Sequence, residues 1–129
     1  MYVLDTNAWS DAARNVGKVA RKLSIVPLSQ VLIASPVLYE LRRVPRSSPA
    51  WTALNRFVMH IVGFYDIAPF DADAANAAAD FGNTMRMKGR TLHHLDVMIA
   101  GVAIARGATL VTRDKDFAKA PGLKAEDWF

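Results

Sequence analysis

The chain has 129 residues, 52% of them hydrophobic, with 16 Lys and Arg, 12 Asp and Glu, and no cysteine. That is one domain's length with material for a single core, and the missing thiols exclude disulfides, zinc-thiolate sites and cysteine catalysis, so a metal site must use oxygen or imidazole ligands. The net charge of +4 suits a polyanionic partner such as nucleic acid.

No apolar run approaches the roughly 20 residues that span a bilayer, and no leader pattern opens the chain. The expectation is one soluble, cytoplasmic domain over residues 1–129 with no membrane contact.

In chain order, YVLD reads as a short strand ending on Asp5, a residue that a buried strand disfavours unless it is paired, hydrogen-bonded or metal-bound. Asn7, Ser10 and Asp11 supply turn and cap chemistry before a helix that carries Val16, Val19, Ala20 and Leu23 and ends at Pro27. Residues 31–35, VLIAS, form a second strand. Ser35 as N-cap and Pro36 at the first helical position open a helix with Val37, Leu41 and Val44 on one stripe, stopped by Pro45.

After the loop RSSP, Trp51, Leu54, Phe57 and Val58 mark an amphipathic helix, and Val62 to Ala68 read as a third strand. Asp71 caps an alanine-rich helix that reaches about Lys88 and stops at Gly89, with Asp73 in its first turn. LDVMIAGVAIARG is a nearly all-apolar helix, ATLVT a fourth strand running into RDKDF, and GLKAEDWF holds a short edge strand. Strands that alternate with helices and are continuously apolar predict α/β architecture, with a parallel sheet covered on both faces.

Ligands of such sheets sit beyond the carboxyl ends of the strands. Asp5 and Asp114 lie at strand ends and Glu40 on the helix after strand two, about 60° from its apolar stripe at 100° per residue. Asp96 opens the apolar helix, where capping alone would also explain a carboxylate. Asp114 and Asp116 compete for one role.

Carboxylates gathered together repel unless a divalent cation neutralises them, and an oxygen-only cluster suits Mg²⁺ or Mn²⁺ and metal-assisted phosphodiester hydrolysis. His93 and His94 border this region, and His60 stands apart. Arg42, Arg43 and Arg113, with Arg46, Arg86, Lys88, Arg90 and Lys115, flank the acidic positions and are candidate phosphate contacts, although an exposed helix face has the same composition.

Taken in order, LDTN, SPVLYEL, LDVMIAGVAIARGATLVTRDKDF and PGLKAEDW resemble the PIN-domain family over essentially the whole chain, and within it the VapC-type toxins of toxin-antitoxin pairs. The resemblance implies a three-layer α/β/α sandwich and a Mg²⁺- or Mn²⁺-dependent endoribonuclease, restrained by a cognate VapB-like antitoxin and homodimeric. Asp5, Glu40 and Asp96 match the family's first three acidic metal ligands and Asp114 the more variable fourth. Asn7 and Thr112 match polar residues that orient the pocket, and Asp116 is held in reserve.

Two departures bear on substrate choice. Arg42-Arg43-Val44-Pro45 stands where the family has a glycine, and His93-His94 stands where it has small residues or proline. The alternatives are a nuclease of RNA processing or of DNA, a receiver-type signalling domain, and a binding module without catalysis. A receiver wants a lysine where this chain has Thr112-Arg113-Asp114.

Overall fold

The structure, a computed structural model, describes residues 1–129. Its five strands are β1 (Tyr2–Leu4), β2 (Val31–Ala34), β3 (Asp66–Ala68), β4 (Thr109–Val111) and β5 (Ala125–Glu126), paired in the order β3-β2-β1-β4-β5 with every pairing parallel. Six α-helices surround them: α1 (Thr6–Ala13), α2 (Val19–Ile25), α3 (Ser35–Arg42), α4 (Trp51–Phe64), α5 (Ala72–Met87) and α6 (His94–Ala105). This is the three-layer α/β/α sandwich, and no helix in it is long and apolar enough to cross a membrane.

The strand order explains where a site can form. From β1 the chain moves outward through β2 to β3, then returns to place β4 on the other side of β1. Right-handed crossovers then put the two sets of helices on opposite faces, and a crevice opens where the direction reverses, at the carboxyl ends of β1 and β4. The next residues along these strands are Asp5 and Thr112.

One core of 26 buried residues runs through the sheet and onto its helices, including Val3, Leu4, Ile33, Leu110 and Val111 from the strands. Helix α6 is apolar nearly all round because it lies between the sheet and α5, a position in which a helix has no solvent face to colour. The approach of α5 is unusually close. A Cβ on Gly101 would stand 2.5 Å from the Cβ of Ala78 and 2.6 Å from the carbonyl oxygen of Ala74.

The structure corrects the sequence expectation in four places. Asn7, Ser10 and Asp11 are interior to α1, a helix capped by Asp5, and are not turn residues ahead of a later helix. Ser35 is the first residue of α3 and not its cap; its hydroxyl accepts from the Phe70 amide at 2.9 Å, tying α3 to the connection after β3. Helix α3 ends at Arg42, before the stop expected at Pro45.

The expected strand over Val62 to Ala68 is the last turn of α4 followed by three strand residues. Val58 and Ile61 are buried on the same helical face, which draws the apolar residues behind them into the helix.

Candidate active site

The carboxyl end of β1 delivers Asp5 directly. Its amide donates to the Val111 carbonyl at 3.0 Å, extending the β1–β4 pairing by one step, and its Oδ1 accepts from the Ala8 amide at 2.7 Å, capping α1. Across the switch point, β4 runs into buried Thr112, whose hydroxyl bonds the Asp5 carboxylate and accepts from the Asp114 amide at 3.1 Å. Asp5, Asn7, Asp96, Thr112 and Asp114 line one cavity of about 40 Å³, floored by Ile99, Leu110 and Phe117.

Helix α6 contributes Asp96 from its first turn. The cap of α6 is the His93 ring, whose Nδ1 accepts from the Leu95 amide at 3.3 Å, so capping does not account for Asp96. Glu40, from α3, stands just outside the cavity. It accepts a hydrogen bond from the Thr6 hydroxyl and faces Asp96 closely enough to repel it.

The electrostatics have one sign. Burial pushes the Asp5 carboxyl above the ordinary carboxylate value; bonds from Thr112 and Ala8 oppose this, and the charges of Asp96 and Asp114 reinforce it. Asp96 is raised by burial too, then by Glu40 and Asp114, with His93 in opposition. All three ion pairs of the chain fall on Asp11 or Asp71, so no Lys or Arg neutralises Asp5, Glu40, Asp96 or Asp114.

As the side chains stand, no three acidic or histidine groups surround one point. Glu40 is held on Thr6 and Asp5 on Ala8 and Thr112. The donor chemistry nevertheless fits a hard divalent cation: all oxygen, mutually repelling and without counterion.

The remaining candidates separate. Asp114, not Asp116, lines the cavity; the Asp116 amide donates to Asp114 Oδ1 at 2.9 Å, and its carbonyl accepts from Arg90 at 3.3 Å. Arg113 turns away from the cavity, to Asp11. Arg42 and Arg43 are exposed at the end of α3 without an ion pair. His94 lines a hollow between α5 and α6, and exposed His60 packs on Phe64 with ring centroids 4.9 Å apart. Asp71 caps α5 as expected, accepting from the Ala74 amide at 3.0 Å.

Sequence reasoning missed Thr6, although a hydroxyl next to Asp5 at the start of a helix was visible in LDTN. It also missed Asp11, for which no local pattern gives a signal.

A domain of this topology, with carboxylates gathered at its switch point, is matched by the model of the PIN domain over residues 2–123, and the chain belongs to that family. VapC proteins are among its relatives. Ribonuclease VapC11 of Mycobacterium tuberculosis is 30% identical over 122 residues, which cover 91% of this chain and 89% of the relative. The tRNA(fMet)-specific endonuclease VapC of Shigella flexneri is 28% identical over 128 residues, 98% of this chain and 97% of the relative. Among solved structures, that of VapBC2 from Rickettsia felis bound to a promoter DNA fragment aligns with a TM-score of 0.88 and 26% identity, covering 99% of this chain and 98% of that one.

Proposed function

We propose that the protein is the toxin of a VapBC-type toxin-antitoxin pair, a cytoplasmic endoribonuclease that hydrolyses RNA phosphodiester bonds with Mg²⁺ or Mn²⁺. The observation that carries this reading is the uncompensated cluster of Asp5, Asp96 and Asp114 at the switch point, with Glu40 beside it. Relatives named as ribonucleases support RNA as the substrate.

In this reading Asp5, Asp96 and Asp114 hold the cation, Glu40 completes its ligands, and Asn7 and Thr112 keep the pocket in shape. A divalent cation bound there supplies Lewis acidity toward the phosphate and makes a water easier to deprotonate. The chain's own groups do the rest. Thr112 and the Ala8 amide hold Asp5, Thr6 holds Glu40, and the His93 cap fixes the first turn of α6 from which Asp96 projects. Arg42 and Arg43 are exposed cations able to meet a phosphate backbone, and Asp116 serves the loop through its main chain.

The partner is a VapB-like antitoxin, by analogy with the VapBC complexes among the structural relatives. An apolar groove of about 610 Å³, with Trp9, Leu23, Phe57, Ile61 and Phe64 among its walls, offers an amphipathic segment of that partner a seat. Homodimerisation is expected as well.

The test is cleavage of a labelled RNA panel by the purified protein with Mn²⁺, with EDTA, and as the variants Asp5→Asn and Asp96→Asn. Removing a residue that only supports a metal ligand costs roughly 10–100-fold, so removing a ligand should cost at least about 100-fold. Cleavage indifferent to EDTA, or retained in both folded variants, would overturn the reading.

A further inference from the structure

Asp11 is the one carboxylate of the chain that is fully buried. Its side chain, 2% exposed, accepts from two guanidinium groups at the same oxygen: Arg14 Nη2 at 2.9 Å and Arg113 Nη2 at 3.3 Å. The two partners differ in what they are attached to. Arg14 is three residues along from Asp11 and reaches it from the end of α1. Arg113 comes from 102 residues away in sequence and sits between Thr112 and Asp114, both of which line the acidic cavity.

Thr112 and Asp114 line the cavity, and Arg113 between them does not; its guanidinium goes to Asp11 instead. Arg113 therefore anchors, from outside the cavity, the segment that presents Thr112 and Asp114 to it. Its guanidinium also lies 4.4 Å from the centroid of the Phe129 ring. That ring is seated on Gly17, where a Cβ would come within 2.8 Å of it and where the backbone φ of +67° favours glycine. Arg113 is thus gripped by a buried charge and covered by an aromatic ring.

We propose that Asp11 is a positioning residue for the acidic site. Through Arg113 it sets where Thr112 and Asp114 stand relative to Asp5, and so sets the cluster's affinity for a divalent cation. This rests on the metal-nuclease reading above, but the anchoring itself is measurable without it. Arg113, a candidate substrate contact in the sequence, takes the role of an anchor.

Arg14 provides the control, since it neutralises the same oxygen without holding the loop. Calorimetric titration of Mn²⁺ and amide exchange by NMR on the wild type, Asp11→Asn, Arg113→Gln and Arg14→Gln decide the matter. The expected result is a roughly 10-fold weaker Mn²⁺ affinity in Asp11→Asn and Arg113→Gln, as for loss of an outer support of a metal site. The Asp114 amide, now bonded to the Thr112 hydroxyl, should exchange faster in both, while the Val3 and Leu110 amides keep wild-type protection. Arg14→Gln should resemble the wild type in both measurements.

Wild-type affinity and wild-type Asp114 exchange in Asp11→Asn and Arg113→Gln would overturn the proposal, as would equal losses in Arg14→Gln, which would point to charge balance alone. If Asp11→Asn does not fold, Arg113→Gln carries the test. If the wild type binds no Mn²⁺, the nuclease reading fails and Asp114 exchange still decides whether Asp11 anchors the loop.

Discussion

On the side of α6 that meets α5, Gly101 lies against Ala74 and Ala78 with no room for a methyl group. Five residues earlier on the same helix, Asp96 faces Glu40 and Asp114 and is pushed toward its neutral form by burial and by both charges. At Gly101 the α5–α6 seam is closed so tightly that an added atom would clash, whereas the acidic edge lacks the positive charge that would settle it. Packing is tightest where Gly101 meets Ala74 and Ala78. Charge is left uncompensated where the fold presents a site.

The largest expected effect lies on the packed side. Gly101→Ala forces α5 and α6 apart and should cost about 3 kcal/mol, at the upper end of overpacking penalties, read as a lowered midpoint in thermal or urea unfolding. An unchanged midpoint would mean that the seam gives way more easily than its contacts imply.

On the acidic side Thr6→Ala frees Glu40 from its only hydroxyl partner. Mn²⁺ affinity should fall roughly 10-fold while the unfolding midpoint stays within about 0.5 kcal/mol of the wild type. Titration calorimetry beside a melt separates the two quantities.

The smallest effect is one of pH. Because Asp5 and Asp96 carry raised pKa values, the folded state holds their protons more tightly than the unfolded chain, whose groups ionise near 3.8. Below that value neither group costs stability. As pH rises from 3.8 through the raised native values, the unfolded state sheds protons first and these two groups subtract stability; above the native values the penalty is complete. The metal-free double variant Asp5→Asn, Asp96→Asn should therefore lose less stability than the wild type between about pH 4 and 7.

Much of this was visible in the residues. A strand ending on Asp5, Glu40 on the helix after the second strand and a late strand running into Asp114 pointed to one sheet edge, with Asp96 as a fourth candidate; the structure lines one cavity with Asp5, Asp96 and Asp114 and leaves Glu40 just outside it. What escaped was set by distant partners. Asp11 reads as a cap because an isolated carboxylate belongs at a surface; it is buried because Arg113 reaches it from the other end of the chain. Val62 to Phe64 read as strand from Val62 and Phe64, but they continue the helix whose buried face is Val58 and Ile61; only Val62 of the three packs on the core, and Phe64 is exposed. Ser35 has the chemistry of a cap, but its hydroxyl is taken by Phe70.

The central claim, that the acidic edge is strained electrostatically until a cation binds, is tested most directly by thermal unfolding of the wild type and Asp96→Asn at neutral pH, each with EDTA and with Mn²⁺. A crossing is expected: Asp96→Asn melts at or above the wild type in EDTA, and well below it when Mn²⁺ is saturating. A wild type that gains nothing from Mn²⁺ while Asp96→Asn is destabilised in EDTA would contradict it, because Asp96 would then be a structural residue of α6.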